Sequence, residues 1–131
     1  MNNLKRASGL LFAALLASAT VTGCSSAPVI ELELGKLEIL QGGKQVTAVT
    51  VKPGVEYVFR VSNVLGRDHN FWIGQKEDLA AQDYSRLTGV KLFTSGTQEI
   101  RYTFKAGDTL QFACTLASHY SPMHGDIIVE G

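Results

Sequence analysis

The feature that most constrains the fold is a series of short segments in which apolar and polar residues alternate. Residues 29–34 alternate apolar with acidic side chains, as a β-strand does when one of its faces is buried. Glycine- and proline-containing turns, such as Pro53-Gly54, separate these segments. The pattern predicts an all-β antiparallel sandwich of seven or eight strands. The other predicted strands are 36–40, 46–51, 56–61, 69–73, 98–104, 109–113 and 126–130.

One segment differs from this pattern. Residues 77–87 begin with Glu77 and Asp78, carry Arg86 near their end, and are followed by Gly89. Acidic residues at the start, a basic residue near the end and a glycine beyond are helix signals. We therefore predict one short helical insertion around residues 77–87, between two strands.

The amino-terminal segment has the layout of a secretory signal. Lys5 and Arg6 precede an apolar stretch, residues 10–17, that is too short to span a bilayer. The following Val-Thr-Gly-Cys24 resembles the bacterial lipobox, in which the peptide is cut before the cysteine and the thiol is lipidated. We expect a signal peptide at 1–23, lipidated Cys24 with a short tether at 24–28, and one domain at 29–131. An ordinary signal peptide with a nearby cysteine is the alternative.

The charge balance and the predicted lipid anchor indicate the partners and the cellular location of the protein. The chain has 12 basic and 12 acidic residues, so it lacks the basic footprint of a nucleic-acid binder. We expect a monomer in the bacterial cell envelope, anchored in a membrane and facing the periplasm. Ser25 follows Cys24, whereas an aspartate there retains enterobacterial lipoproteins in the inner membrane, so the outer membrane is favoured.

Cys114 requires an explanation, because the sequence has two cysteines and Cys24 is expected to carry lipid. Exported proteins usually pair their thiols or use them. Cys114 is therefore either a buried, inert side chain or a metal ligand. His119 and Met123 follow within ten residues, and the strand pleat turns Cys114 to the core face. The neighbouring sequence thus favours the interpretation of Cys114 as a metal ligand.

A second imidazole lies far upstream. His69 shares a strand face with Phe71, so it should point inward. Taken singly, His119 is more often a surface histidine and Met123 a packing residue. Together, two imidazoles, one thiolate and a weak thioether form the donor set of a blue-copper electron-transfer centre. The sequence predicts one copper ion bound by His69, Cys114, His119 and Met123.

Two segments resemble a known family. Residues 114–125, with the spacing Cys-x4-His-x3-Met-x-Gly, resemble the copper loop of azurins and plastocyanins, which are cupredoxins. His69-Asn70 resembles the upstream His-Asn pair of that superfamily. The resemblance implies a cupredoxin-like Greek-key β-sandwich with a type 1 copper. It also implies that Asn70 and Thr115 hydrogen-bond around the copper loop, and that Asp68 offers a distant backbone carbonyl.

The chain also departs from the azurin pattern. Azurins carry a disulfide, which this chain cannot form if Cys24 is lipidated. His124 directly follows Met123, and it is either exposed to solvent or an additional ligand. The identity of the axial ligand therefore stays open.

Three functions compete. Electron transfer between a donor and an acceptor protein is favoured, with the partner surface around the loop histidine, including Tyr120 and Pro122. The alternative is a periplasmic copper carrier or copper-tolerance protein on the same fold. Enzymatic activity is disfavoured: the sequence has three histidines and no His-x-His pair, so it cannot build a trinuclear copper centre.

Overall fold

The computed structural model describes residues 25–131, which form ten strands and one short α-helix. The predicted signal peptide, residues 1–23, and the predicted lipidation site, Cys24, lie outside the described residues. No helix between residues 25 and 131 has the length and apolar character needed to span a membrane. The strands are β1 (Val29–Leu34), β2 (Ile39–Gln41), β3 (Lys44–Gln45), β4 (Ala48–Val51), β5 (Glu56–Asn63), β6 (His69–Gly74), β7 (Thr88–Phe93), β8 (Gly96–Thr103), β9 (Leu110–Ala113) and β10 (His124–Val129).

The strands form two five-stranded sheets. The first sheet has the order β3-β2-β1-β5-β8, and the second has the order β4-β10-β9-β6-β7. Non-consecutive neighbours in both orders show that the chain crosses between the sheets, so the predicted β-sandwich is confirmed. The sheets are mixed rather than wholly antiparallel, because β1 pairs in parallel with β5 and β4 in parallel with β10.

The strand count differs from the seven or eight predicted because β3 and β7 were missed. β3 has two exposed residues, too few for a periodic pattern. β7 is an edge strand, mostly half-buried or exposed, so no clear alternation marks it. Its Gly89 is required, since an added Cβ would lie 2.1 Å from the backbone oxygen of Phe71 on β6.

The predicted helical insertion is confirmed. It consists of α1 (Lys76–Ala81) and a single 3-10 turn (Tyr84–Arg86), between β6 and β7. Glu77 and Asp78 occupy the first turn of α1, where carboxylates interact favourably with the helix dipole. The insertion packs on the outer face of the second sheet through a small apolar cluster of Trp72, Leu79, Leu87 and Ala113.

The main core lies between the sheets. Its centre is built from completely buried aromatic rings, and Phe71 packs 6.2 Å from Phe59 and 6.0 Å from Phe112, measured between ring centroids. The alternation of β1 turns Leu32 and Leu34 into this core. Because the insertion covers its other face, β6 is buried at all six positions.

This arrangement brings the beginning of β6 beside the end of β9. β6 and β9 are neighbouring antiparallel strands, with Trp72 opposite Ala113. The beginning of β6, which carries His69, therefore lies beside the end of β9, where Cys114 follows. Residues 45 positions apart in sequence are brought together at one end of the sandwich.

Candidate metal centre

Three side chains converge at that end of the sandwich. The donor atoms of His69, Cys114 and His119 all lie within 4.8 Å of one another. The Cys114 Sγ is 3.7 Å from Nδ1 of His69 and 3.5 Å from Nδ1 of His119. His69 and Cys114 are completely buried and His119 is half-buried, so the cluster lies just beneath the surface.

The loop that supplies His119 is closed by main-chain hydrogen bonds. The N–H of His119 donates to the Leu116 carbonyl at 2.9 Å, and the N–H of Met123 donates to the His119 carbonyl at 2.9 Å. The N–H of Cys114 in turn donates to the Met123 carbonyl at 3.0 Å. These bonds fold the loop back onto the end of β9. The Met123 side chain is completely buried in the main core.

Asn70 and Thr115 tie the two halves of the cluster together. The N–H of Thr115 donates to Asn70 Oδ1 at 2.7 Å, and Asn70 Nδ2 donates to Thr115 Oγ1 at 3.0 Å. Both side chains are buried, at 4% and 2% exposure, so water competes little for these bonds. The pair links the residue after His69 to the residue after Cys114.

His124 lies outside the three-donor cluster. Its Nδ1 is 3.0 Å from the carbonyl oxygens of both Tyr120 and Ser121, so this nitrogen carries the proton and donates to them. Its ring stacks on Tyr120, with 5.2 Å between centroids and 20° between planes. In this arrangement His124 closes the loop instead of extending the donor set.

Asp68 is exposed at the mouth of the site. It lines an open depression beside the half-buried His119. Leu37, exposed at 45%, lies in the same depression. Its other lining residues are Lys36, Gly66, Arg67 and Ser118.

Burial sets the protonation of the cluster. It lowers the pKa of His69, and the neighbouring His119 lowers that pKa further. It raises the pKa of the Cys114 thiol, although the backbone N–H groups of Asn70 and Leu116 oppose this effect. In the absence of metal the buried donors are therefore a neutral imidazole and a neutral thiol. A metal that binds the thiolate must displace a proton.

The donor set fits one type 1 copper ion. Two ligands that lie 2.0–2.3 Å from a first-row metal and about 120° apart are about 3.7 Å from each other. The distances of 3.7 Å and 3.5 Å from the sulfur to the two imidazole nitrogens match that spacing. His69, Cys114 and His119 would hold the copper with one thiolate and two imidazoles, and Met123, buried on the same loop, would supply a weak thioether donor.

Comparison with solved structures shows proteins of similar fold. Auracyanin A, a blue copper protein from Chloroflexus aurantiacus, superimposes with a TM-score of 0.64 at 23% identity, covering 80% of this chain and 100% of the other. Reduced auracyanin from Roseiflexus castenholzii gives 0.61 at 22% identity, with coverages of 82% and 100%. Rusticyanin from Thiobacillus ferrooxidans gives 0.61 at 17% identity, with coverages of 80% and 79%.

The chain has the cupredoxin fold. At these identities the likeness concerns the fold alone, and the site must be argued from this chain's own residues. No family model matches the sequence, and no curated protein matches it. The two packed sheets are accounted for by the cupredoxin fold.

Within the cupredoxin fold, two polar residues of the insertion reach the metal centre, and sequence patterns did not indicate them. Gln82 Nε2 donates to the Thr115 carbonyl at 2.5 Å, and the Tyr84 hydroxyl lies 3.1 Å from Thr115 Oγ1. Neither residue belongs to a motif, and each lies about 30 positions from Thr115. The depression residues Leu37 and Arg67 were missed for the same reason, because their proximity to His119 is a tertiary property.

Proposed function

We propose that the protein is a mononuclear type 1 copper protein that carries electrons at a membrane surface. The observation that carries this proposal is the convergence of His69, Cys114 and His119 at one end of a rigid sandwich. When bound, copper supplies a one-electron couple. The chain supplies a buried donor cage anchored on β6 and β9, whose fixed geometry keeps reorganisation small when the charge of the site changes.

The surface around His119 supports electron exchange with protein partners. His119 is the one half-buried member of the cluster, and it borders the open depression that contains Leu37. Val64 and Leu65, exposed at 63% and 51%, precede the segment that lines this depression. A small surface beside a redox centre, with apolar and charged side chains mixed, suits transient encounters between redox proteins.

We give Tyr120 less weight than the prediction from sequence, which extended the partner surface to Tyr120 and Pro122. The Tyr120 hydroxyl donates to Gln111 Oε1 at 2.8 Å, and its ring packs against the cluster beneath the insertion. Pro122 is exposed. We therefore centre the proposed electron-exchange surface on His119 and Leu37.

Electron transfer is preferred to copper handling and to catalysis. A copper carrier would benefit from an additional exchangeable donor in the cluster, but His124 lies outside the group formed by His69, Cys114 and His119. The three histidines of the sequence cannot supply a trinuclear copper centre. We propose unidentified donor and acceptor proteins as partners, with no catalytic step performed by this chain.

The optical spectrum tests the copper centre. The chain lacking residues 1–24 is titrated with Cu(II) beside the Cys114→Ser variant. We expect an intense visible thiolate-to-copper charge-transfer band that the variant lacks. Copper bound without that band would contradict a type 1 site, and absence of binding would overturn the proposal. Rapid reduction and reoxidation by small redox proteins, without release of copper to a chelator, would separate electron transfer from copper handling.

We also propose that lipidated Cys24 anchors the protein outside the cytoplasm, at a membrane facing the periplasm. Support comes from the lipobox-like Val-Thr-Gly-Cys24 and from the short distance to Val29, where β1 begins. Mass spectrometry of the amino-terminal peptide from the full chain expressed in bacteria should show acylated Cys24. Cys114→Ser is the matched control and should remain acylated, whereas an unmodified Cys24 would refute the anchor.

A further inference from the structure

Every polar group of Thr115 has a partner, and two of the four contacts come from the insertion. Asn70 binds the amide and the hydroxyl of Thr115, as described above. Gln82 binds its carbonyl, and Tyr84 contacts its hydroxyl. Thr115 directly follows Cys114 and is 2% exposed. The insertion is therefore connected to the residue next to the thiolate ligand.

The contact from Gln82 fixes a peptide group close to the thiolate ligand. The Thr115 carbonyl and the Leu116 N–H belong to one planar trans peptide group, so they point in opposite directions. Holding the carbonyl oxygen from the insertion side therefore fixes the orientation of the whole peptide group between Thr115 and Leu116. Thr115 is in turn bonded directly to Cys114 in the chain.

Gln82 adopts a backbone conformation that favours glycine. It ends α1 with φ 54° and ψ 39°, in the left-handed region. Residues with a side chain are disfavoured there, and glycine is the usual choice after a helix. The chain instead carries a residue whose amide reaches Thr115. Backbone strain is often found at functional sites, and Gln82 combines it with a specific contact beside the metal centre.

Tyr84 makes one apolar contact and one hydrogen bond. Its ring packs against Trp72, with 4.9 Å between centroids, and 43% of the residue is exposed. Its hydroxyl nevertheless points to the buried Thr115 hydroxyl, which Asn70 Nδ2 also binds. The Tyr84 hydroxyl thus completes a network around Thr115 that begins on β6.

We propose that Gln82 and Tyr84 are positioning residues of the metal centre, which hold Thr115 and thereby fix the adjacent Cys114. In its redox consequence this inference rests on the proposed copper function, but its structural part concerns the metal-free chain. The surroundings of the cysteine sulfur are among the features that set the potential of a blue-copper site. The helical insertion thereby acts on the site through Thr115.

Conservative variants separate the contacts from the packing. Gln82→Met removes the amide but keeps the length of the side chain, and Tyr84→Phe removes only the hydroxyl. Gln82→Gly removes the contact and relieves the left-handed backbone at the same time. The matched controls are Gln45→Met on the exposed β3 and Tyr102→Phe on β8 in the other sheet.

The first readout is the modification rate of the Cys114 thiol in the metal-free chain lacking residues 1–24, which retains both sheets and the whole described core. Gln82→Met should raise the rate about fivefold, the factor that one net hydrogen bond gives in an opening equilibrium. Tyr84→Phe should raise it less, because the Thr115 hydroxyl keeps Asn70 as a partner. The two controls should leave it unchanged.

Gln82→Gly best separates an effect on the metal centre from an effect on stability. Relief of the left-handed backbone should raise the thermal unfolding midpoint while loss of the contact speeds modification of the thiol. If Gln82 served stability alone, a higher unfolding midpoint would be accompanied by slower modification of the thiol. A thiol rate unchanged in Gln82→Met and in the Gln82→Met/Tyr84→Phe double variant would overturn the proposal. An equal rise in the controls would do the same.

The second readout uses the copper-loaded chain. Gln82→Met should have a changed reduction potential and a shifted charge-transfer band, because release of Thr115 alters the surroundings of the Cys114 sulfur. An unchanged potential and band would refute this redox part. If the wild-type chain shows no such band, the proposed function fails, and the thiol rates still decide whether Gln82 and Tyr84 position Thr115.

Discussion

The outer faces of the two sheets differ. On the first sheet, the exposed Arg60 side chain forms ion pairs of 2.9 Å with Glu31 and with Glu99, and Arg101 pairs with Glu56 at 2.7 Å. On the second sheet, the helical insertion covers the face and buries Trp72 and other apolar side chains. One face is open to solvent, whereas the other forms a second packing layer.

This difference shows which sheet holds the residues of the metal centre in place. A strand covered on both sides has its side chains held by packing, and β6 is buried at all six positions. The strands of the first sheet keep one face in water, where ion pairs between flexible side chains contribute little. His69 and Asn70 both come from the doubly covered strand, and Thr115 is held from the covering layer.

The largest expected effect comes from the core that both sheets share. Phe71→Ala on β6 should lower the free energy of unfolding by about 3–5 kcal/mol, because it leaves a cavity between two neighbouring rings. Denaturant unfolding followed by fluorescence or circular dichroism measures the change. A loss below about 1 kcal/mol would mean that the inner face is less tightly packed than the structure shows.

The second largest loss of stability is expected from a substitution beneath the helical insertion. Leu79 is 1% exposed beneath α1, and Leu79→Ala should cost about 2–3 kcal/mol, at the lower end for such substitutions because the short helix can relax into the cavity. The same variant should weaken the contacts of Gln82 and Tyr84 with Thr115. If unfolding is unaffected, the second sheet is not stabilised by its covering layer, and the comparison fails.

A third variant tests the close packing beside the site. A Cβ at Gly125 on β10 would lie 2.2 Å from the ring of Phe112, so Gly125→Ala forces a shift and should cost about 1–3 kcal/mol. The control is Gly35→Ala, whose new Cβ would meet the flexible Glu38 side chain at 2.8 Å. Equal melting temperatures of the two variants would contradict this explanation.

The smallest effect is expected on the open face of the first sheet. Arg60→Met keeps much of the apolar stem but removes both ion pairs. We expect no measurable change in the unfolding midpoint at moderate salt, because exposed pairs are screened. A clear loss of stability would show that this charged face contributes more than its exposure implies.

Sequence patterns predicted the parts of the fold that depend on local periodicity. The alternation of β1 and the helix signals at Glu77 and Asp78 are properties of a few consecutive residues, and both predictions are confirmed. β7 was missed because its Gly89 and its half-exposed positions leave no alternation. The parallel pairing of β1 with β5 was missed because pairing depends on which distant strand is available.

For the candidate site, the sequence named the donors but not the layer that holds them. Residue type and spacing identified His69, Cys114, His119 and Met123, because soft sulfur and imidazole side chains have few other reasons to cluster in a chain that is predicted to be exported. The ligand set itself stays a prediction until metal is bound. The inward direction of His69 followed from the strand pleat, and this residue is completely buried in the structure.

By itself, the sequence determined a β-sandwich with a helical insertion and a set of donors typical of copper, since side-chain chemistry and periodicity are written in the chain. The tertiary structure alone decided that β6 and β9 are neighbours and that His124 turns to its own loop. It alone decided that Gln82 and Tyr84 reach Thr115. The physical reason is that such contacts depend on how separate elements pack, and a hydrogen bond across 30 or more positions leaves no local pattern.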